Sequence, residues 1–254
     1  WIGNWLKGRR QRVVIEGVYS GWESVLSGVP QGSVLGPILF TIFINDIDEG
    51  VVSKLLKFAD DTKLVGKVCN KRDVEILQAD LNRLFEWSEE WQMLFNVEKC
   101  SVMHLGFNNS KEELKLGGRI LKEVVEEKDL GVIIQNDLKV DRQCRKAANE
   151  ANRMLGMIRR NFVYRSKEIL LPLFKSLVRP HLDYCIQAWR PHYVKDIEVL
   201  EKVQRRATKL VDGLGGLGYE DRLLRLRLTT FETRMLRADL IEVYKIFKGL
   251  DTLE

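Results

Sequence analysis

The sequence predicts an α+β layer followed by a mainly helical region, with the boundary near residue 139. Three observations carry this reading. Short β-branched runs separated by glycine-containing turns fill the first part, and apolar residues at helical spacing dominate from Asp141 onward. The charge balance also changes sign: residues 1–138 carry 17 Lys or Arg against 21 Asp or Glu, and residues 139–254 carry 24 against 15.

Taken in order, Arg9 to Tyr19 mixes basic and β-branched residues and predicts a strand, with Gly17, Gly21 and Gly28 marking turns around and beyond it. Pro30, Gly32 and the capping residue Ser33 precede a run that is apolar on nearly every side. Val34 to Asp46 is therefore expected to be a helix buried in the protein's centre, with Pro37 in its first turn where a missing N–H costs little. Lys54 to Phe58 and Thr62 to Val68 flank Ala59-Asp60-Asp61, which predicts a β-hairpin with two carboxylates at its tip. From Asp73 to Leu94, the residues Val74, Leu77, Leu81, Leu84 and Trp91 form one helical stripe, leaving Asp80, Asn82, Arg83, Glu86 and Glu89 for other faces. Val97 to Leu105, Leu114 to Leu121 with Gly117-Gly118 as a turn, and Leu130 to Ile134 predict further strands. From Asp141 a helical pattern is expected through Ala147, Ala151, Leu155 and Ile158, with further helices over 170–178, 194–211 and 223–248 and Gly213 to Gly218 as a loop.

Composition excludes several classes. At 254 residues, with 45% hydrophobic and 30% charged positions, the chain is long enough to bury a core and is neither fibrous nor low-complexity. The longest apolar run, Val34 to Ile44, falls short of the roughly 20 residues of a membrane span. No basic-then-apolar leader opens the chain, so a soluble intracellular protein without a membrane partner is expected. Cys69, Cys100, Cys144 and Cys185 lie too far apart for a zinc or redox motif and are expected to be reduced and mostly buried. His104, His181 and His192 are expected to be packed or surface residues. The chain opens with Trp1 inside an amphipathic segment, which suggests that further sequence precedes it.

Chemistry concentrates at Asp60-Asp61. Adjacent carboxylates in a turn have two readings: a solvated turn, or hard oxygen ligands for a magnesium pair bridging a phosphoryl group. An apolar strand leading in, small Ala59, and the PQG turn just upstream favour the second. The basic residues of the second half also have two readings. Arg142, Arg145, Lys146, Arg153, Arg159 and Arg160, then Lys202, Arg205, Arg206 and Lys209, form either solvated helix faces or a surface tracking a phosphate backbone.

Phe58-Ala59-Asp60-Asp61 resembles the aromatic-x-Asp-Asp box of reverse transcriptases, and Ser27-Gly28-Val29-Pro30-Gln31-Gly32-Ser33 resembles a turn of the same enzymes. With Asn96 to Cys100, Glu127 to Val132, the opening Trp1 to Leu6 and the late Leu200 to Ala207, the match is to non-LTR retrotransposon reverse transcriptases of the jockey and chicken-repeat type. It runs over nearly the whole chain.

The resemblance implies a polymerase palm-like, RRM-like sheet with helices over 1–138, followed by a helical thumb and C-terminal extension over 139–254. It implies Asp60 as principal magnesium ligand and Asp61 as a secondary one, in a site using two Mg2+ ions. Pro30, Gln31 and Gly32, with Phe58 and Ala59, would form the floor for template base and incoming deoxynucleoside triphosphate, Gly32 allowing close backbone approach. Lys99 would assist pyrophosphate departure, and Arg142, Arg145, Lys146 and Arg153 would grip the backbone of RNA template and DNA primer.

One departure limits the implied activity. The family's first metal-binding Asp lies in an AFD-type strand upstream of the WIGNWL-like segment, and no such motif follows Trp1. The chain by itself is therefore expected not to polymerise DNA. The alternatives are a non-catalytic nucleic-acid-binding remnant, or a decayed fragment with no cellular role. A nuclear location follows from the resemblance, with a cytoplasmic ribonucleoprotein stage as the alternative; the basic stretch Lys7 to Arg12 is too interrupted to be a convincing import signal.

Overall fold

The computed structural model describes residues 1–106 and 109–251. They divide into two compact units, the first comprising 1–102 with 109–122, the second 103–106 with 123–251. The packing boundary thus precedes the compositional boundary near 139. Its cause is the hairpin Glu126–Asp129/Val132–Gln135, whose polar surface hides its attachment to the helix that follows. Ile133 N–H donates to Gln143 Oε1 at 2.9 Å, Arg142 N–H to Gln135 Oε1 at 3.2 Å, and Lys146 Nζ to the Gly131 carbonyl at 2.7 Å.

In the first unit, Arg9 to Tyr19 is not one strand. Glu16 and Gly17 both adopt positive φ, the geometry of a tight hairpin turn, so Val14–Ile15 folds back on Val18–Tyr19, while Arg10–Gln11 pairs with Glu23–Ser24. The next helix spans Leu35–Phe43 and is not a buried central helix: Gly36 is its one buried residue, and Ile42 is 67% exposed. Its opposite side, through Phe40 and the following Ile44 and Ile47, packs with Leu55, Leu64, Leu84 and Trp87 in a small core. Phe43 lies edge-on to Trp87 and Trp91, at centroid distances of 5.8 and 5.7 Å.

The predicted hairpin is present as Lys54–Phe58 paired with Asp61–Val65. Beneath it runs the long helix Lys71–Glu90. Its start is a reciprocal cap: the Asn70 side chain accepts from Asp73 N–H, and Asp73 Oδ2 accepts from Cys69 N–H. Leu81 and Leu84 are buried as the stripe predicts, but Asp80, assigned by periodicity to another face, is 0% exposed. Its Oδ1 accepts from Val52 N–H at 3.0 Å and from Arg83 at 3.1 Å, and its Oδ2 from Ser53 N–H at 2.8 Å. A second small core joins Leu81 to Leu114, Leu116 and Leu121. There Gly117 and Gly118, both at positive φ, turn Lys115–Leu116 into Arg119–Ile120. Gly117 lies so close to Phe85 that an added Cβ would fall 2.3 Å from the ring.

Among the described residues the strands pair only two by two. The architecture is mixed α and β, with small two-stranded sheets among the helices. Each ribbon satisfies one edge and either packs on a helix, as Val132 does in the core of the second unit, or stays exposed.

The second unit is an α-helical assembly around one extended core. Helix Asp141–Asn161 packs on helix Val194–Lys209, with Ala147 and Ala151 on the first and Leu200 and Val203 on the second all buried. The 170–178 helix is present in two parts. Pro172 lies inside Lys167–Leu173, lacks an N–H, and is followed by a π-helical turn over Phe174–Val178, where Ser176 donates to the Pro172 carbonyl. Short helices Arg179–Asp183 and Ile186–Trp189 have no periodicity long enough to predict. The single helix expected over 223–248 is two, Tyr219–Leu226 and Phe231–Phe247, because Arg227 takes a left-handed conformation that ends the first. The second begins over buried Glu201, whose carboxylate accepts from Phe231 and Glu232 N–H and from the Tyr219 hydroxyl. No helix of the described residues is long and apolar enough to cross a membrane.

The cysteines correct another expectation. Cys144 is buried, and that burial pushes its thiol up to about 12, but Cys69 and Cys185 are exposed and Cys100 is half-buried. Cys69 sits at the mouth of the helix cap and Cys185 in a left-handed link between helices, places set by backbone geometry that hydrophobicity does not report.

Burial pushes the Asp80 carboxyl up, yet hydrogen bonds from Val52 and Ser53 together with the Arg83 charge outweigh this and hold it below the ordinary 3.8. Its stabilising contribution is therefore present at neutral pH and lost as pH falls through that lowered value. Asp80→Ala is expected to lower unfolding stability at pH 7 by about 3 kcal/mol, because it leaves two strand-entry donors unpaired. Urea unfolding curves run from pH 7 to pH 3 check this, since the gap between parent and variant should narrow at the acid end.

Candidate functional site

The hairpin register decides where the two carboxylates point. Phe58 lies opposite Asp61, so Ala59 and Asp60 form a two-residue turn, and Asp60 stands at the very tip while Asp61 begins the return strand. Ala59 adopts φ +52°, a left-handed conformation that a small side chain tolerates better than a β-branched one. Because side chains alternate, Leu55 and Leu64 share the face that packs into the core, and Leu56, Phe58 and Asp61 share the other. Asp60 and Asp61 are both exposed, and Phe58 beside them is 63% exposed.

Three acidic side chains hold the base of this hairpin. Asp80 ties down Val52 and Ser53, as described. Asp46 Oδ1 accepts from Trp87 Nε1 at 3.0 Å, and Asp48 Oδ1 accepts from Lys57 Nζ at 2.9 Å, which also donates to the Asn45 carbonyl. The Lys57 ammonium holds the Asp48 carboxyl below the ordinary carboxylate range. The sequence reading missed all three, since an acid on a helix or in a turn is ordinarily a solvated one. The turn-rich spacing of Asp46, Asp48 and the hairpin was the available signal.

The Pro30-Gln31-Gly32 turn lies at the start of the Leu35–Phe43 helix. Ser33 Oγ donates to the Pro30 carbonyl at 2.7 Å and accepts from Gly36 N–H at 3.0 Å, so Ser33 caps as expected. Gly32 adopts φ +80° with open space where a Cβ would lie, so it serves the turn's conformation and makes no close approach within the chain. The tightly packed glycine is Gly36, unassigned by the sequence reading, where a Cβ would meet the Pro30 carbonyl and Ser33 Oγ at 3.0 Å. Arg9 braces the same turn, donating to the carbonyls of Leu6, Ser27 and Gly28. Through Phe40, Ile44, Leu55 and Leu64, one small core carries both the helix that follows the turn and the hairpin that carries the acids.

Lys99 is exposed in the turn that follows the long helix, its N–H donating to the Asn96 carbonyl. The basic residues lie on helices of the second unit. Arg142 pairs with Glu126, Arg145 with Asp141 at 3.0 Å, and Lys146 binds the Gly131 carbonyl, whereas Arg153, Arg159 and Arg160 are exposed. Lys202 and Arg205 share Glu198, and Arg206 donates to Asn152. Exposed pairs of this kind contribute little stability and exchange readily for other anions. His181 lies 3.5 Å from Glu150, and the His192 ring lies tilted against that of Tyr193 at a centroid distance of 4.6 Å.

A divalent cation implied by an Asp-Asp tip was weighed against these donors. Two exposed carboxylates suit an ion that keeps most of its water and takes one or two protein oxygens. Among the described residues no group of three His, Cys, Asp or Glu gathers to hold a metal, so the pair fits part of one ligand shell and does not complete a two-ion site.

The family model "Reverse transcriptase (RNA-dependent DNA polymerase)" matches residues 1–157, a span that includes the PQG turn, the Asp60-Asp61 hairpin and the long helix. The chain belongs to the reverse transcriptase family. It is 29% identical over 203 residues to the RNA-directed DNA polymerase from mobile element jockey of Drosophila funebris, covering 74% of this chain and 22% of that protein. The corresponding jockey protein of Drosophila melanogaster is 25% identical over 226 residues, covering 84% of this chain and 25% of the relative. The probable RNA-directed DNA polymerase from transposon X-element of the same fly is 25% identical over 224 residues, with 84% and 24% covered. The reverse transcriptase chain thus spans about a quarter of the length of these curated relatives. No solved structure matches it.

Two substitutions test the local geometry of the hairpin tip and of the turn before the Leu35–Phe43 helix. Ala59→Gly is expected to raise stability by about 1 kcal/mol, since glycine takes the left-handed turn position without strain. Gly36→Ala should reverse the gain of about 1 kcal/mol that this exchange ordinarily brings within a helix, because its Cβ meets a fixed backbone carbonyl. Thermal melts of the two variants, with opposite expected signs, provide the check.

Proposed function

We propose that this chain is a region of an RNA-directed DNA polymerase of a non-LTR mobile element, with Asp60 and Asp61 as its metal-facing carboxylates. The observation that carries this reading is the shared core: the PQG-capped helix Leu35–Phe43 and the Asp-Asp hairpin that begins at Lys54 rest on the same leucines and aromatics. In this reading the first unit is part of a palm and the helical unit a thumb. In the same reading RNA template, DNA primer and deoxynucleoside triphosphates are the substrates, and the proposed location is the nucleus.

The residues then take the following roles. Asp60, lifted to the tip by the left-handed Ala59, is the principal carboxylate toward Mg2+, and Asp61, on the exposed face with Phe58, is the second. When bound, such ions stabilise charge on the attacking and leaving oxygens of a phosphoryl transfer. Pro30, Gln31 and Gly32 with Phe58 and Ala59 form the floor under the paired bases, and Lys99 is an exposed cation available to the departing pyrophosphate. Asp46, Asp48 and Asp80 act only by positioning the hairpin.

A second reading, a nucleic-acid-binding region without turnover, is favoured separately by the incomplete carboxylate set of the hairpin among the described residues and by the exposed Arg153, Arg159 and Arg160 of the helical unit. We propose that the 254-residue chain alone falls in this class, because two acids from one hairpin cannot hold two ions in register.

Incubated with a primed RNA template, Mg2+ and deoxynucleotides, the chain is expected to give no extension, while binding RNA–DNA hybrid with an affinity that falls steeply as salt rises. Primer extension on gels and hybrid binding by filter retention are the measurements. Extension that disappears in Asp60→Ala would overturn the proposed inactivity and leave the polymerase assignment standing, and salt-insensitive or absent hybrid binding would overturn the assignment to nucleic acid.

A further inference from the structure

We propose that the ribbon over residues 9–25 is a docking surface for single-stranded RNA, in which Tyr19 and Trp22 stack on bases and Arg10 and Arg12 contact phosphates. The ribbon consists of the two nested antiparallel pairs already described. Reciprocal bonds between Val13 and Ser20, and from Val25 N–H to the Arg9 carbonyl, tie them together. Every residue of its strands is exposed.

Three features point to one kind of occupant. Arg12 lies over two rings at once, its guanidinium 4.0 Å from the Tyr19 centroid and 4.6 Å from that of Trp22, and Arg10 lies 5.6 Å from Trp22. Despite this stacking, the rings remain 57% and 54% exposed. Neither arginine forms an ion pair among the described residues. Cations outnumber acids locally, with Lys7, Arg9, Arg10 and Arg12 against Glu16 and Glu23 between residues 1 and 25.

Aromatic faces interleaved with unneutralised guanidinium groups match the repeating chemistry of a single strand, which alternates phosphate charge with a flat base. An apolar protein partner would instead have to bury those charges without a counter-charge. A duplex would hide its bases and leave the rings without a partner. The ribbon adjoins the PQG turn through Arg9, which places a bound strand beside the proposed template floor. The choice of RNA over DNA rests on the polymerase reading proposed above; the surface itself does not.

The test uses the whole chain and a fluorescently labelled 20-nucleotide oligouridylate, with binding read by anisotropy in EDTA. Trp22→Ala is expected to weaken binding roughly five- to 150-fold, the range for loss of one base stack, with Trp22→Phe recovering most of it. Arg10→Ala with Arg12→Ala should reduce the slope of log affinity against log salt by about 1.4, at about 0.7 for each phosphate contact. Circular dichroism separates these effects from loss of the fold, and the paired conservative variant keeps the test decisive if Trp22→Ala disturbs the ribbon. RNA bound at least as tightly as a DNA strand of matched sequence supports the proposal. Variants within about twofold of the parent with unchanged salt slope, or DNA bound more tightly than RNA, overturn it. Because the readout needs neither metal nor nucleotide, it is independent of the primer-extension result.

Discussion

One fully buried carboxylate organises the first unit. Asp80 sits on the inner side of the long helix and accepts from the two backbone donors at which the chain turns from the Leu35–Phe43 helix into the Asp-Asp hairpin. Without it those donors would be buried and unpaired, and the hairpin would lose its fixed origin. Asp60 and Asp61 lie a few residues along the chain from this clamp, and the helix that follows the PQG turn packs through the core beside it. Trp87 on Asp46 and Lys57 on Asp48 extend the same principle. Polar groups on the long helix and the hairpin itself, and not burial alone, set the position of the tip.

The dependence follows from how little apolar surface the first unit buries. Its two small cores rest on a handful of leucines and aromatics from one helix, while its ribbons are two-stranded and exposed. A two-stranded ribbon is marginal in water, so directional hydrogen bonds carry an unusual share of its order. The second unit is built the other way, with a continuous core over its helices and buried polar groups such as Glu201 acting at helix ends. A charge-bearing surface can be mounted on such a scaffold without cost to the core, and its exposed arginines are free to meet an external anion.

The position of Asp60 illustrates the relation between turn chemistry and function. A left-handed residue before an acid puts that acid at the apex of a ribbon, where it is solvated, unshielded and able to approach a cation without displacing protein groups. The same exposure means that the pair has no internal partner to complete a ligand set.

The Asp-Asp hairpin, the capped turn before it, the long helix and the helical second half were readable from residue order, because turn residues, caps and strong periodicity act locally and leave local marks. The burial of Asp80, the exposed side of the Leu35–Phe43 helix, the ribbon in place of one strand over 9–19, and the break at Arg227 were not. Each depends on which neighbour occupies a face, or on the backbone conformation of a single residue, and neither is encoded in hydrophobic spacing. Residue chemistry alone determined which groups could bind metal, base or phosphate. Tertiary structure decided which of them stand exposed and which are spent on holding the fold, because a carboxylate or guanidinium serves either purpose equally well until packing assigns its partner.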